Sequence, residues 1–201
     1  MENSSKQIFE QMADRYDTED RIKIAEITAD AIRSVIIEGN KKTAVDYGCG
    51  TGLVGLNLIN SFQSVLFADA SPQMIEKVRQ KIKTAQISTA NTMCFDLCTE
   101  TPDLKTDYIF LSLVLLHIKD VPLILSKLFD LLNDGGHLII VDFDKEESIV
   151  SDKVHNGFNQ PELRELIKQT GFREVDSHTF YFGEKIFMNT DASLFILDAE
   201  K

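Results

Sequence analysis

Three glycines at alternate positions in residues 45–52, Val-Asp-Tyr-Gly-Cys-Gly-Thr-Gly, sharply restrict the folds open to this chain. A short apolar run enters the glycines and a helix-like run, 53–59, leaves them. Alternating glycines let the backbone take positive φ values and come closer to a ligand than a Cβ would allow. A strand, such a turn and a helix predict a nucleotide-type ligand.

Downstream, strand-like and helix-like runs alternate, the pattern of a parallel sheet covered by crossover helices. Strands are expected at 43–47, at 64–68 ending on Asp69, at 86–93, at 108–113 and at 137–143. Ser71-Pro72 caps and opens a helix bearing Met74, Ile75, Val78 and Ile82. Asp120 caps another, with Leu125, Leu128, Phe129 and Leu132 inward and Asn133 to Gly136 as its end. The charged stretch 144–152 reads as a loop, and Pro161 opens a helix that stops at Gly171. The final strands, near 174–182 and 193–199, have no helix between them and are expected to pair antiparallel. Ahead of the glycines, Phe9, Met12, Ala13 and Tyr16 share one helical face. A second helix starts at Thr18 or Asp20, carries Ile24, Ile27, Ala31 and Val35, and stops at Gly39-Asn40. These helices make residues 1–40 an extension to a domain over 41–201.

The 201 residues suffice for one substantial core. With 21 basic against 32 acidic residues, the net charge of −11 repels a phosphate backbone, so nucleic acid is a poor partner. No run approaches the roughly 20 apolar residues needed to span a bilayer. The start lacks the basic and apolar segments of a signal peptide, so a cytoplasmic protein with no membrane partner is expected. Cys49, Cys94 and Cys98 are expected to be reduced, and no ligand pair has the usual close metal-binding spacing.

The turn itself is ambiguous. Gly50 to Gly55 matches GxGxxG, and Asp69 falls about 20 residues on, where a ribose-binding acid of an NAD-linked oxidoreductase belongs. Three features oppose that reading. Asp46 puts a carboxylate at the strand end, where a pyrophosphate would be repelled. Asp69 is followed by Ser71-Pro72-x-Met74-Ile75, and the last strand is antiparallel. A sulfonium cofactor, cationic and free of phosphate, suits an acidic lining.

On Asp46, Gly48, Gly50, Gly52 and Asp69, with Cys94-Phe95-Asp96-Leu97 and the stretch 111–120, the chain resembles the class I S-adenosylmethionine-dependent methyltransferases over roughly residues 40 to 200. The resemblance implies a Rossmann-like α/β fold: a seven-stranded, mostly parallel sheet with an antiparallel last strand, helices on both faces and an N-terminal helical lid. It implies that Asp69 holds the ribose hydroxyls and that Asp96 sits at the adenine edge. Cys49, Ala70, Met74, Leu97 and Ser112 complete the implied cofactor set. Asp46 either ties the turn together or meets the cofactor's ammonium, and Asp96 either serves the adenine or caps its own turn. Many relatives have a His-His pair where this chain has Leu116-His117. His117 is therefore read as a general base or a structural histidine, and Tyr16 as a lid residue or a packing one. Arg21 pairs with the cofactor carboxylate or is simply exposed, and the loop 155–158 is placed to approach the pocket. Phe180, Tyr181, Phe182, Phe187 and Met188 either fill the sheet interface or line an acceptor site. The implied reaction converts S-adenosylmethionine to S-adenosylhomocysteine and methylates a small molecule. The DNA-enzyme NPPY-type tetrapeptide is absent. A catalytically silent module of the same fold is the other rival, and acceptor atom and oligomeric state are left open.

Overall fold

In the computed structural model, which describes residues 15–151 and 153–201, the strand-like runs assemble into one seven-stranded sheet. Its strands are β1 (Thr43–Tyr47), β2 (Ser64–Asp69), β3 (Ala90–Cys94), β4 (Thr106–Ser112), β5 (Leu132–Phe143), β6 (Arg173–Phe187) and β7 (Thr190–Glu200). Their order is β3-β2-β1-β4-β5-β7-β6. The first five are parallel, and β7 is antiparallel to both β5 and β6. The chain order reverses between β1 and β4, so the carboxyl ends of those strands form the crevice where ligands bind in open α/β sheets.

Among the described residues, five helices accompany the sheet: α1 (Glu19–Val35), α2 (Leu53–Leu58), α3 (Pro72–Thr84), α4 (Val121–Leu131) and α5 (Gln160–Thr170). Their starts follow local chemistry. The Ser71 hydroxyl accepts the Met74 N–H at 3.3 Å, Asp120 accepts that of Leu123 at 3.0 Å, and Asn159 accepts that of Glu162 at 3.1 Å. Helices cover both faces, as β4 illustrates. Ile109 and Leu111 join Leu125, Leu128 and Ile167 of α4 and α5 in one apolar cluster. Tyr108 and Phe110 point the other way, into a cluster with Ile32, Leu58 and Val78 of α1, α2 and α3. A strand buried on both sides needs the continuous apolar run seen there.

Local boundaries depart from expectation for identifiable reasons. β3 begins at Ala90, because Gln86 takes φ 53 and the Ile87 N–H returns to the Ile82 carbonyl at 3.1 Å, closing the end of α3. The left-handed residue after α1 is Glu38, at φ 50, whereas Gly39 is needed because a Cβ there would lie 2.3 Å from the Ser61 carbonyl oxygen. β5 takes up Leu132 to Gly136, and β6 and β7 run on to a tight connection at Met188-Asn189, both at positive φ. Apart from Arg15 and Tyr16, the helix expected over 4–16 lies outside the described residues. No helix among the described residues is long and apolar enough to cross a membrane.

Candidate functional site

The glycine turn is a left-handed corner at the carboxyl end of β1, with φ of 72° at Gly48, 53° at Gly50 and 81° at Gly52. Two N–H groups, of Gly48 and Cys49, converge on the Ala68 carbonyl of β2 at 2.8 and 3.0 Å. Space matters as much as torsion at Gly48, where a Cβ would meet Val114 Cγ2 at 2.5 Å. The turn is therefore fitted between the end of β2 and the segment after β4. Cys49 packs inside it, and burial pushes its thiol well above the usual range, so it stays protonated.

Asp69, 7% exposed, bridges two loops: Oδ2 accepts the Gly50 N–H at 2.9 Å and Oδ1 accepts that of Ser71 at 2.8 Å. Both carboxylate oxygens thus accept from backbone N–H groups, one of the glycine turn and one of the loop after β2. Next to it, Phe95 donates its N–H to the Asp69 carbonyl at 3.2 Å, bringing the 94–97 segment to the same edge. Leu97 is drawn toward β1 by its N–H bond to the Tyr47 hydroxyl at 3.2 Å. Asp96 accepts the Cys98 N–H at 2.9 Å, which is the turn-capping geometry. Its carboxyl lies below the usual range although burial opposes this, the Cys98 N–H being the leading stabiliser. Ala70, Met74 and Leu97 are buried at 7%, 1% and 0% exposure, whereas Ser112, at the end of β4, is half-buried.

Asp46 sits beneath the turn. At 2% exposure its Oδ2 accepts the Gly55 N–H at 3.1 Å, tying β1 to α2. Of the two roles open to it, the structure supplies the tie. Burial pushes its pKa up to about 8 against the Gly55 bond. This also explains the final glycine of the GxGxxG pattern, because a Cβ on Gly55 would lie 2.4 Å from that oxygen.

Tyr16 reaches the turn from outside the sheet. Its ring would be 3.7 Å from a Cβ on Gly50, and burial raises its phenol above the ordinary value despite Arg21 nearby. Arg21 lies over that ring at 4.3 Å and donates to the Tyr16 carbonyl at 3.0 Å. The adjacent Asp17 accepts the Thr51 hydroxyl and pairs with Lys81 at 2.7 Å, and Lys81 also donates to the Thr51 carbonyl at 2.7 Å. Residues 16–21 are thus strapped to the glycine turn and to α3. Asp17, Thr51 and Lys81 lie far apart along the chain, and no motif or spacing marks them as partners.

After β4 the backbone turns sharply. Leu113, at φ 55, occupies a left-handed conformation that costs an L-residue about 1–2 kcal/mol. A 3-10 turn, Leu115–His117, follows. His117 is half-buried, and burial pushes its pKa down to about 4, so its imidazole is neutral at physiological pH. Leu116 joins Phe143, Ile149, Phe187 and Leu194 in an apolar cluster, where the Phe143 and Phe187 rings stack at 4.1 Å. Phe187 therefore fills the interface, whereas Phe182 and Met188 stand 67% and 59% exposed. The structure brings the glycine turn, Asp69, Tyr16 and the post-β4 turn to one edge. Among the described residues no cluster of three or more His, Cys, Asp or Glu side chains is placed to hold a metal.

Comparison with known proteins agrees with this geometry. The model of a family described as a methyltransferase domain matches residues 21–182. (S)-coclaurine N-methyltransferase of Papaver somniferum is 26% identical over 129 residues, 63% of this chain and 36% of that protein. An uncharacterized methyltransferase of Mycobacterium bovis is 28% identical over 120 residues, 59% of each chain. The chain spans about a third to three fifths of the length of the curated relatives it matches. Magnesium protoporphyrin IX methyltransferase from Synechocystis, solved with S-adenosylhomocysteine bound, superposes with a TM-score of 0.74 at 18% identity. The match covers 98% of this chain and 94% of that one. With a family model matching most of its length and a sheet of the same architecture, the chain belongs to the class I S-adenosylmethionine-dependent methyltransferases.

Proposed function

We propose that this protein transfers the methyl group of S-adenosylmethionine to a small-molecule acceptor at the carboxyl edge of its sheet. The observation that carries this reading is the Asp69 bridge: one carboxylate at the end of β2 fixes the glycine turn through Gly50 and the following loop through Ser71, at the carboxyl edge of the sheet. The lining fits a phosphate-free adenosyl cofactor. Gly48 and Gly50 present backbone at positive φ, Asp69 and Asp96 supply hydrogen-bond acceptors, and the Tyr16 ring closes the outer side.

When bound, the cofactor supplies an electrophilic methyl group. The residues of the chain bind, orient and exclude water. Asp69 would hold the ribose, the 94–97 segment the adenine edge, and Ser112 with the post-β4 turn the side facing the acceptor. Holding an acceptor in line with the methyl carbon converts a bimolecular encounter into a positioned one, which can supply much of the rate. His117, neutral at physiological pH, is able to accept a hydrogen bond or proton from an acceptor hydroxyl or amine.

A labelled-methyl screen against metabolite and protein pools tests the proposal. Label in a small molecule supports it, and label confined to protein contradicts the acceptor class. Binding of S-adenosylhomocysteine without any transfer would identify a silent module.

A further inference from the structure

The turn that carries His117 is held from two sides by groups outside the cofactor cradle. Asp142, at the end of β5 and 0% exposed, accepts the Leu116 N–H at 3.1 Å on Oδ2 and the Phe143 N–H at 2.8 Å on Oδ1. From the loop between β5 and α5, His155 donates its backbone N–H to the Leu116 carbonyl at 2.8 Å. Its Nε2 lies 2.8 Å from the Ile118 carbonyl. Both polar groups of the Leu116 peptide units are thus taken by separate elements, and His117 lies between the two residues that are gripped.

The turn needs this support. Its internal bonds are two, His117 N–H to Val114 and Ile118 N–H to Leu115, both at 3.0 Å, and it follows the left-handed Leu113. Such a segment holds a disfavoured conformation only where its surroundings impose it. Burying a carboxyl is costly, and burial raises Asp142 to about 7 even though backbone N–H groups donate to it. An apolar residue would fill the strand end at lower cost, and asparagine offers one acceptor oxygen where two N–H groups require two. A carboxyl is the side chain that receives both donors.

We propose that Asp142 and His155 are positioning residues that jointly fix where His117 stands at the carboxyl edge, so that His155, from beyond the end of β5, takes part in aligning the acceptor. The inference rests on the reading of that edge as the acceptor side. Its first readout does not need an acceptor: the imidazole NMR signals of His117 in the full chain, compared among wild type, Asp142→Asn, His155→Ala and His155→Gln. Both Asp142→Asn and His155→Ala should shift the His117 signals with S-adenosylhomocysteine affinity within about twofold of wild type. His155→Gln, which keeps a side-chain N–H donor, should restore them. On an acceptor found by the methyl screen, the two disruptive variants should slow transfer on the order of tenfold to a hundredfold, the effect of a misplacement near one ångström. Unmoved His117 signals in the folded variants would overturn the proposal. So would cofactor affinity falling in step with the rate, which marks a general loss of fold. Should Asp142→Asn fail to fold, the His155 pair decides alone. Should no acceptor be methylated, the proposed function fails while the NMR comparison still decides the positioning.

Discussion

Asp69 Oδ2 accepts the Gly50 N–H at 2.9 Å, so the carboxylate that ends β2 also shapes the glycine turn that follows β1. Replacing Asp69 removes both the turn's anchor and the proposed ribose ligand, each a charge-assisted bond of roughly 1.5–3 kcal/mol. Asp69→Ala should weaken S-adenosylhomocysteine binding tenfold or more by calorimetry. Wild-type affinity in the folded variant would remove Asp69 from the cofactor site.

Gly55 is a packing requirement of Asp46. A Cβ there would lie 2.4 Å from Asp46 Oδ2 and 2.5 Å from Phe67 Cε1. Gly55→Ala should destabilise the fold by about 1–3 kcal/mol through overpacking, read as a lowered denaturation midpoint. An unchanged midpoint would show that α2 shifts freely relative to β1.

Asp46 predicts a definite pH dependence. An unfolded aspartate releases its proton near 3.9, whereas the folded carboxyl holds it up to about 8. Between those values the native chain binds a proton that the unfolded chain has lost, so the stability contributed by this group falls as pH rises and is gone above the folded pKa. Asp46→Asn cannot titrate and keeps an acceptor for Gly55. Its stability relative to wild type should increase from about pH 5 to about pH 8, measured by urea unfolding. A constant difference would mean that Asp46 is ionised in the native protein.

His117 should leave no trace in the ordinary histidine range. Burial holds it near 4, so its neutral form persists across neutral pH. Any limb near 7 should belong to Asp142 and vanish in Asp142→Asn, and His117→Ala should slow turnover while cofactor affinity holds. Unchanged turnover in that variant would remove the proton-accepting role.

Lys81 closes the strap over the turn, pairing with Asp17 at 2.7 Å and with the Thr51 carbonyl at 2.7 Å. Lys81→Met keeps the aliphatic stem and removes both bonds. S-adenosylhomocysteine should dissociate faster from the variant in stopped-flow displacement, with its association rate little changed. Equal dissociation rates would show that the strap does not retain the cofactor.

The architecture was legible because local chemistry and periodicity agreed. Ser71, Asp120 and Pro161 mark helix starts that the structure reproduces, and the uninterrupted apolar run of β4 matches a strand packed on both faces. The glycine turn and Asp69 were legible as well, since each lies at the end of a recognisable strand. Less of the site's support could be read. Asp17, Thr51 and Lys81 meet only through folding, and nothing in their spacing joins them. Asp142 offered one weak signal, a carboxyl among the apolar residues of β5, but its partner Leu116 is brought near by sheet pairing. The role of Asp46 was evenly divided in sequence and depended on which N–H group its oxygen reaches.

Calorimetric titration of the wild-type chain with S-adenosylhomocysteine, and separately with NADH, distinguishes an adenosyl-sulfonium site from a dinucleotide site. Saturable one-to-one binding of S-adenosylhomocysteine that Asp69→Ala weakens, and no binding of NADH, are expected. Saturable NADH binding, with no heat from S-adenosylhomocysteine, would contradict this expectation.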